Sequence, residues 1–212
     1  MPGRIVFRND PAVQKSLEVA CELHKGGTRI VTGGPYIGHP MAVGFRLQRL
    51  RFGPDQISAG LLHDTVEETG RSFKELARML TCPGVDRERA NRIVNLVRPV
   101  SIDPSWPQER IYEWYCDAIE ECPMAIPIAI VDRSDNLRAM HEELILGYDV
   151  FGPKALNRDP NEELTNCLAV IAACTSRALE KDRRRVNLLA DEAVGHTIDI
   201  RRLLARRKNA RK

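Results

Sequence analysis

Aromatic side chains are scarce in this chain, at 5% of residues, and strict alternation of apolar and polar residues is rare along it. Both features weigh against an all-β domain, where aromatic and β-branched residues concentrate on alternating positions. Long apolar runs are also lacking. The longest, Met124 to Val131, falls short of the roughly 18 residues that a spanning helix needs, and it ends on Asp132. No membrane partner is expected. None of the six cysteines (Cys21, Cys82, Cys116, Cys122, Cys167 and Cys174) forms a C-x-x-C pair, which weighs against a cysteine zinc site or a redox motif. Several lie within apolar helical patterns, and the start of the chain has no basic stretch leading into an apolar one. The expectation is a cytoplasmic protein with reduced, mostly buried thiols.

What is present fits one globular domain. The chain has 212 residues, of which 43% are hydrophobic and 29% charged, enough for a sizeable core and a soluble surface. The net charge is only +3, but Lys and Arg crowd the segments 181–185 and 201–212. A basic end can meet nucleic acid. Here no aromatic residues interleave for base stacking, so the blander reading is a solvated helix face and a frayed terminus. The expected division is a domain over 1–180, with a basic helix or tail over 181–212 packed on it or extending from it.

Apolar spacing predicts an all-α fold of eight or nine helices. A first helix spans Pro11 to Lys25, with Val13, Leu17, Ala20, Cys21 and Leu23 as its apolar stripe and Gly26-Gly27 as its stop. Pro40 suits the first position of a second helix, which runs to about Phe52. Asp55 can cap a third, from about Gln56 to Thr69, and Ser72 opens a shorter one. Further helices are expected over Asp86 to Leu96, Glu109 to Ile119, Pro127 to Leu146, Asn161 to Leu179 and Arg183 to Arg207.

The chemistry concentrates in Leu61-Leu62-His63-Asp64-Thr65-Val66-Glu67-Glu68-Thr69. His63 and Glu67 are four apart, as are Asp64 and Glu68, so an imidazole and three carboxylates share one helix face. Burying such a cluster without a cation is costly, and imidazole with carboxylate suits Mn, Fe or Zn. Taken alone, a His-Asp pair is more often an exposed surface feature. Asp132 alone reads as a helix-surface acid beside Arg133, although it follows an apolar approach and sits four residues before Asn136. His39 alone reads as a capping residue after a glycine-rich loop.

Together the order His39, His63-Asp64, Asp132 resembles the HD superfamily of metal-dependent phosphohydrolases. More narrowly, the chain resembles the hydrolase domain of the RelA/SpoT alarmone enzymes and its single-domain relatives. The matching stretches are His24-Lys25-Gly26, Pro35-Tyr36-Ile37-Gly38-His39-Pro40, Leu61 to Thr69 and Val131 to Arg138, with the family's order and intervals, over about residues 10 to 145. The resemblance implies an HD helical bundle. It implies His39, His63, Asp64 and Asp132 as ligands of a divalent metal, usually Mn2+, and Glu67 and Glu68 as the acidic pair that orients or deprotonates water. It further implies Asn136, Arg29 and, more weakly, Lys25 as substrate-binding residues. The implied reaction is hydrolysis of the 3′-diphosphate of ppGpp or pppGpp to GDP or GTP and pyrophosphate.

The chain also departs from the family pattern. Glu68 stands where Asp is common, Ala139 where Thr is common, and Ser134-Asp135 where Leu-His is common. Matching Arg29 to the family's base-packing arginine needs a one-residue length difference between Gly26 and Pro35. Two alternatives therefore stay open: an HD phosphohydrolase acting on another nucleotide, such as NADPH or a nucleoside monophosphate, or a non-catalytic HD module that binds nucleotide or RNA.

Overall fold

The structure is a computed structural model that describes residues 7–102, 106, 110–148 and 159–210. The described residues form ten α-helices: α1 Pro11–Leu23, α2 Gly38–Arg49, α3 Pro54–Leu62, α4 Thr65–Thr69, α5 Phe73–Leu80, α6 Arg87–Val97, α7 Ile111–Glu121, α8 Ile126–Ile145, α9 Pro160–Arg177 and α10 Arg183–Ala210. Among those residues there is no strand, only the isolated bridges Thr28 to Pro35 and Cys82 to Val85. The fold is all-α. It holds more helices than the sequence predicts because the segment expected as one helix over 56–69 breaks at His63-Asp64 into α3 and α4. Residue 109, expected to open a helix, lies outside the described residues, as do 211 and 212.

Local chemistry explains most boundaries. Asp10 caps α1 by accepting from the Ala12 and Val13 amides, and Ser72 with Glu75 forms a capping box on α5. Asp86 caps α6. The central element is α8. Its first turns, Ile126 to Asp132, are fully inside, so the helix lies at the middle of the bundle and packs against α2, α3, α9 and α10. Burying a side chain such as Ile128 or Ile130 contributes roughly 1.5–3 kcal/mol.

Two expectations from composition are corrected. Only Cys167 and Cys174 are buried; Cys21, in the apolar stripe of α1, is exposed, because the buried face of α1 runs through Val13, Ser16 and Ala20 instead. On α7 the inner face is carried by Ile111, Tyr115 and Ile119, with Trp114 half-buried beside them. The basic cluster near 183 is partly used within the fold. Arg185 donates to the Leu50 and Arg51 carbonyls at the end of α2 and stacks 4.1 Å over the Phe52 ring. From there α10 packs along α8 and α9 through Val186, Leu189, Ala193 and Ile200.

The crossing of α2 and α3 brings the two key histidines together, and glycine sets its closeness. A Cβ on Gly44 would lie 2.7 Å from Leu61 Cγ, and one on Gly60 would lie 2.4 Å from Leu47 Cδ1. Leu47 and Leu61 are both fully buried and have little room to turn. Gly44→Ala gains about 1 kcal/mol of helix propensity, but overpacking costs about 1–3 kcal/mol. The expected result is a lower thermal midpoint with weaker metal binding, read by calorimetry and metal titration. An unchanged or raised midpoint would mean that the helices part freely at this crossing.

Candidate functional site

The site is assembled from three helices. The loop 24–37 leads into α2, with His24 stacked on Tyr36 at 5.0 Å and 23°. Gly38, His39 and Pro40 make the first turn of α2, whose flanking residue is Ile37. His39 is therefore inside the helix and not its cap. Pro40 is the third helical residue and not the first, still within the turn whose N–H groups have no intrahelical partner. The chain breaks at His63-Asp64. Asp64 flanks α4 and accepts the Glu68 amide through its backbone oxygen, so its carboxylate is left to face the two histidines. Asp132 enters from the second turn of α8.

These four side chains meet at one point. The His39 and His63 Nε2 atoms are 3.2 Å apart. Asp132 Oδ1 lies 3.2 Å from His39 Nε2 and 3.5 Å from His63 Nε2. Asp64 reaches His63 Nε2 at 2.9 Å and His39 Nε2 at 3.5 Å. The far nitrogens fix the tautomers. His63 Nδ1 is 2.9 Å from the Gly60 carbonyl, which can only accept, so Nδ1 carries the hydrogen. His39 Nδ1 donates to Asp135 Oδ2 at 2.9 Å, and Asp135 is braced by Arg138 at 2.7 Å. In their neutral forms both imidazoles thus aim a lone pair at the centre, beside two carboxylates. Lone pairs so arranged repel unless a proton or a cation stands among them. His39, His63 and Asp64 form a donor group that could hold a divalent metal ion, with Asp132 beside the two imidazoles.

The electrostatics agree with that reading. Burial works against protonating His63, but the Asp64 and Asp132 carboxylates outweigh it and hold the imidazole well above its usual value. Burial likewise opposes ionising Asp132, yet the Arg133 guanidinium and both imidazoles hold its carboxyl well below the usual range. Asp64 falls to about 2, again against burial, through His63 and His39. Glu67 is the opposite case. The surrounding wall strips water from it, Asp64 repels it, and its carboxyl is pushed up despite a 3.2 Å hydrogen bond from the Ile102 amide.

The cluster opens onto a cavity of about 300 Å³ that takes in Asp64, Glu67, Glu68, Asp132, Asn136 and Arg29. Lys25 is exposed and not part of the cavity wall. Asn136 donates to Asp132 Oδ1 at 2.7 Å, so it steadies that carboxylate besides facing the cavity. Several groups of the site escaped the sequence reading. Tyr36 donates to Asp64 Oδ2 at 2.8 Å. Arg133 pairs with Asp132 at 3.2 Å and lies over the Tyr115 ring at 5.2 Å. Asp135 orients His39. Glu143 and Glu163 are buried acids of the wall. Spacing held a signal for two of them: Asp135 is three residues from Asp132, and Glu143 is seven from Asn136.

No protein-family model matches the chain. Among curated proteins it is 32% identical over 129 residues to a guanosine-3′,5′-bis(diphosphate) 3′-pyrophosphohydrolase of Aquifex aeolicus, a match covering 60% of the chain and 18% of that protein. It is 42% identical over 151 residues to a GTP pyrophosphokinase of Streptomyces coelicolor, covering 65% of the chain and 16% of the relative. It is 27% identical over 129 residues to the bifunctional (p)ppGpp synthase/hydrolase SpoT of Escherichia coli, covering 58% and 17%. The chain thus spans less than a fifth of the length of these curated relatives. Its fold matches a solved structure described as a metazoan ortholog of SpoT that hydrolyses ppGpp, with a TM-score of 0.67, 19% identity, and coverage of 89% of this chain and 96% of that one. The chain is thus similar in sequence to part of the RelA/SpoT-type (p)ppGpp enzymes and shares the helical fold of a ppGpp hydrolase.

Proposed function

We propose that the chain is a metal-dependent phosphohydrolase that removes the 3′-diphosphate of guanosine polyphosphate alarmones, converting ppGpp or pppGpp to GDP or GTP and pyrophosphate. The observation that carries this reading is the convergence of two lone-pair nitrogens and two carboxylates beside Glu67 in one cavity. His39, His63, Asp64 and Asp132 would hold the ion, with Mn2+ as the assigned metal. When bound, such an ion polarises a phosphoryl oxygen and acidifies water.

The chain's own residues supply the rest. Glu67, with its raised carboxyl, takes the proton of the attacking water, and Glu68 beside it helps to orient that water. Asn136 and Arg133 both hold Asp132, and Arg133 adds a positive charge to the cavity wall. Arg29 packs on the base, and Lys25 is the weaker candidate for substrate contact. The HD unit is taken as residues 1–180, with the basic helix from 181 packed on it, and the protein is assigned to the cytoplasm. No helix among the described residues is long and apolar enough to cross a membrane.

One observation favours a second reading, a less highly charged nucleotide as substrate. The cavity wall carries two guanidinium groups, Arg29 and Arg133, against six carboxylates. A panel assay with Mn2+ separates the readings by offering ppGpp, pppGpp, NADPH and nucleoside monophosphates. Pyrophosphate release from ppGpp is expected. Turnover of another substrate with none of ppGpp would transfer the assignment to that substrate.

A further inference from the structure

One face of α8 forms the cavity wall. Asp132, Asn136, Met140 and Glu143 are spaced by four, four and three residues and all line the cavity, so they make a stripe about 16 Å long by helix rise. The metal-site carboxylate stands at one end and Glu143 at the other. Glu143 is only 7% exposed. Its carboxylate receives no hydrogen bond from the described residues, and the positive charge that acts on it is Arg29, on the loop that lines the same cavity. The carboxylate oxygens are not sealed off by protein, so a ligand that enters the cavity can meet them with its own N–H groups. Met140, one turn before, and Val31 give that end apolar flanks suited to a flat ring.

We propose that Glu143 selects the base of the nucleotide, by accepting the N1–H and N2–H groups of guanine side by side. A carboxylate offers two acceptors and no donor. Guanine presents two adjacent donors on its Watson–Crick edge and so meets both oxygens in a charge-assisted pair. Adenine presents an acceptor at N1, which the carboxylate repels. Hypoxanthine keeps N1–H but lacks the second donor. This rests on reading the cavity as a nucleotide site, and it adds what neither the motifs nor the metal cluster contains: a residue that sets base identity, on the same helix as Asp132.

The test uses the whole chain and two readouts. The first is binding of GDP, IDP and ADP by equilibrium dialysis, which needs no hydrolysis. Wild type is expected to bind GDP about 10- to 100-fold more tightly than ADP, with IDP between. Glu143→Gln keeps size and shape, and its amide pairs with adenine N1 and N6, so the preference should shift toward ADP. The second readout is kcat/KM on ppGpp and its adenosine counterpart, where Glu143→Gln should raise KM for ppGpp and leave kcat nearly unchanged. Guanine-selective binding without hydrolysis of either compound would sink the hydrolase reading and leave Glu143 as the base selector. Equal binding of GDP and ADP by wild type, no binding of either, or an unchanged preference in Glu143→Gln would overturn the assignment.

Discussion

Glu67→Gln is expected to lower kcat by about 10²- to 10⁴-fold, the usual contribution of a positioned general base, while the bound metal stays at the wild-type level. The two effects separate because Glu67 is not among the groups that converge on the histidines. Its carboxylate hangs on the cavity wall, tied to the Ile102 amide, whereas the donor cluster is closed by Asp64 and Asp132. The amide keeps the shape and can still accept from Ile102 but cannot take a proton. The pH profile gives a second signature. The wall and the neighbouring Asp64 raise the Glu67 carboxyl above its ordinary value, and only the ionised form is a base. Wild-type kcat/KM should therefore rise with pH as Glu67 ionises. The variant should lose that limb. Retained activity with an unchanged acid limb would remove Glu67 from the proton transfer.

Much of the candidate site was legible in the sequence because adjacency and helix period are local facts. His63-Asp64 and the Asp132–Asn136 pair are visible in the letters alone, and the helices follow from apolar spacing. The break between α3 and α4 was not visible, because Gln56 to Thr69 is an unbroken helical pattern. Asp64 leaves that pattern to face His39, a residue from another helix, and tertiary attraction overrides local propensity there. The partners that fix the tautomers were hidden for a related reason. Gly60 offers only a carbonyl, which no residue letter records. Asp135 meets His39 across 96 positions of sequence. Cys21 shows the limit of a stripe drawn from hydropathy: it continues the apolar pattern of α1, yet it lies exposed. Arg185 is the converse, a member of a basic run whose guanidinium closes the end of α2.

His63→Ala is expected to take metal content from about one ion per chain to near zero, measured by elemental analysis after gel filtration. The loss goes beyond one ligand in four. Without the imidazole, the Asp64 and Asp132 carboxylates lose the cationic or metal-facing group that separates them, and like charges then face each other in a buried space. Stability against pH provides an independent check in chelator. In the metal-free wild type, Asp64 and Asp132 hold the His63 imidazole above its usual value although burial opposes this. A folded-state value above the unfolded one stabilises the fold below the ordinary imidazole range, about pH 6.5, and that stability is lost as pH rises through the raised value. The metal-free protein should therefore weaken with rising pH, while the metal-loaded protein should strengthen, since the ion needs deprotonated imidazoles. His63→Ala should lose the metal-loaded response and most of the metal-free one. Asp135→Ala should fall between, with metal affinity reduced by about 10- to 100-fold, because it removes the acceptor that aims His39 Nε2 inward and leaves the nitrogen itself in place. Full metal content in His63→Ala would show that the ion is held elsewhere, and wild-type affinity in Asp135→Ala would show that helix packing alone orients His39.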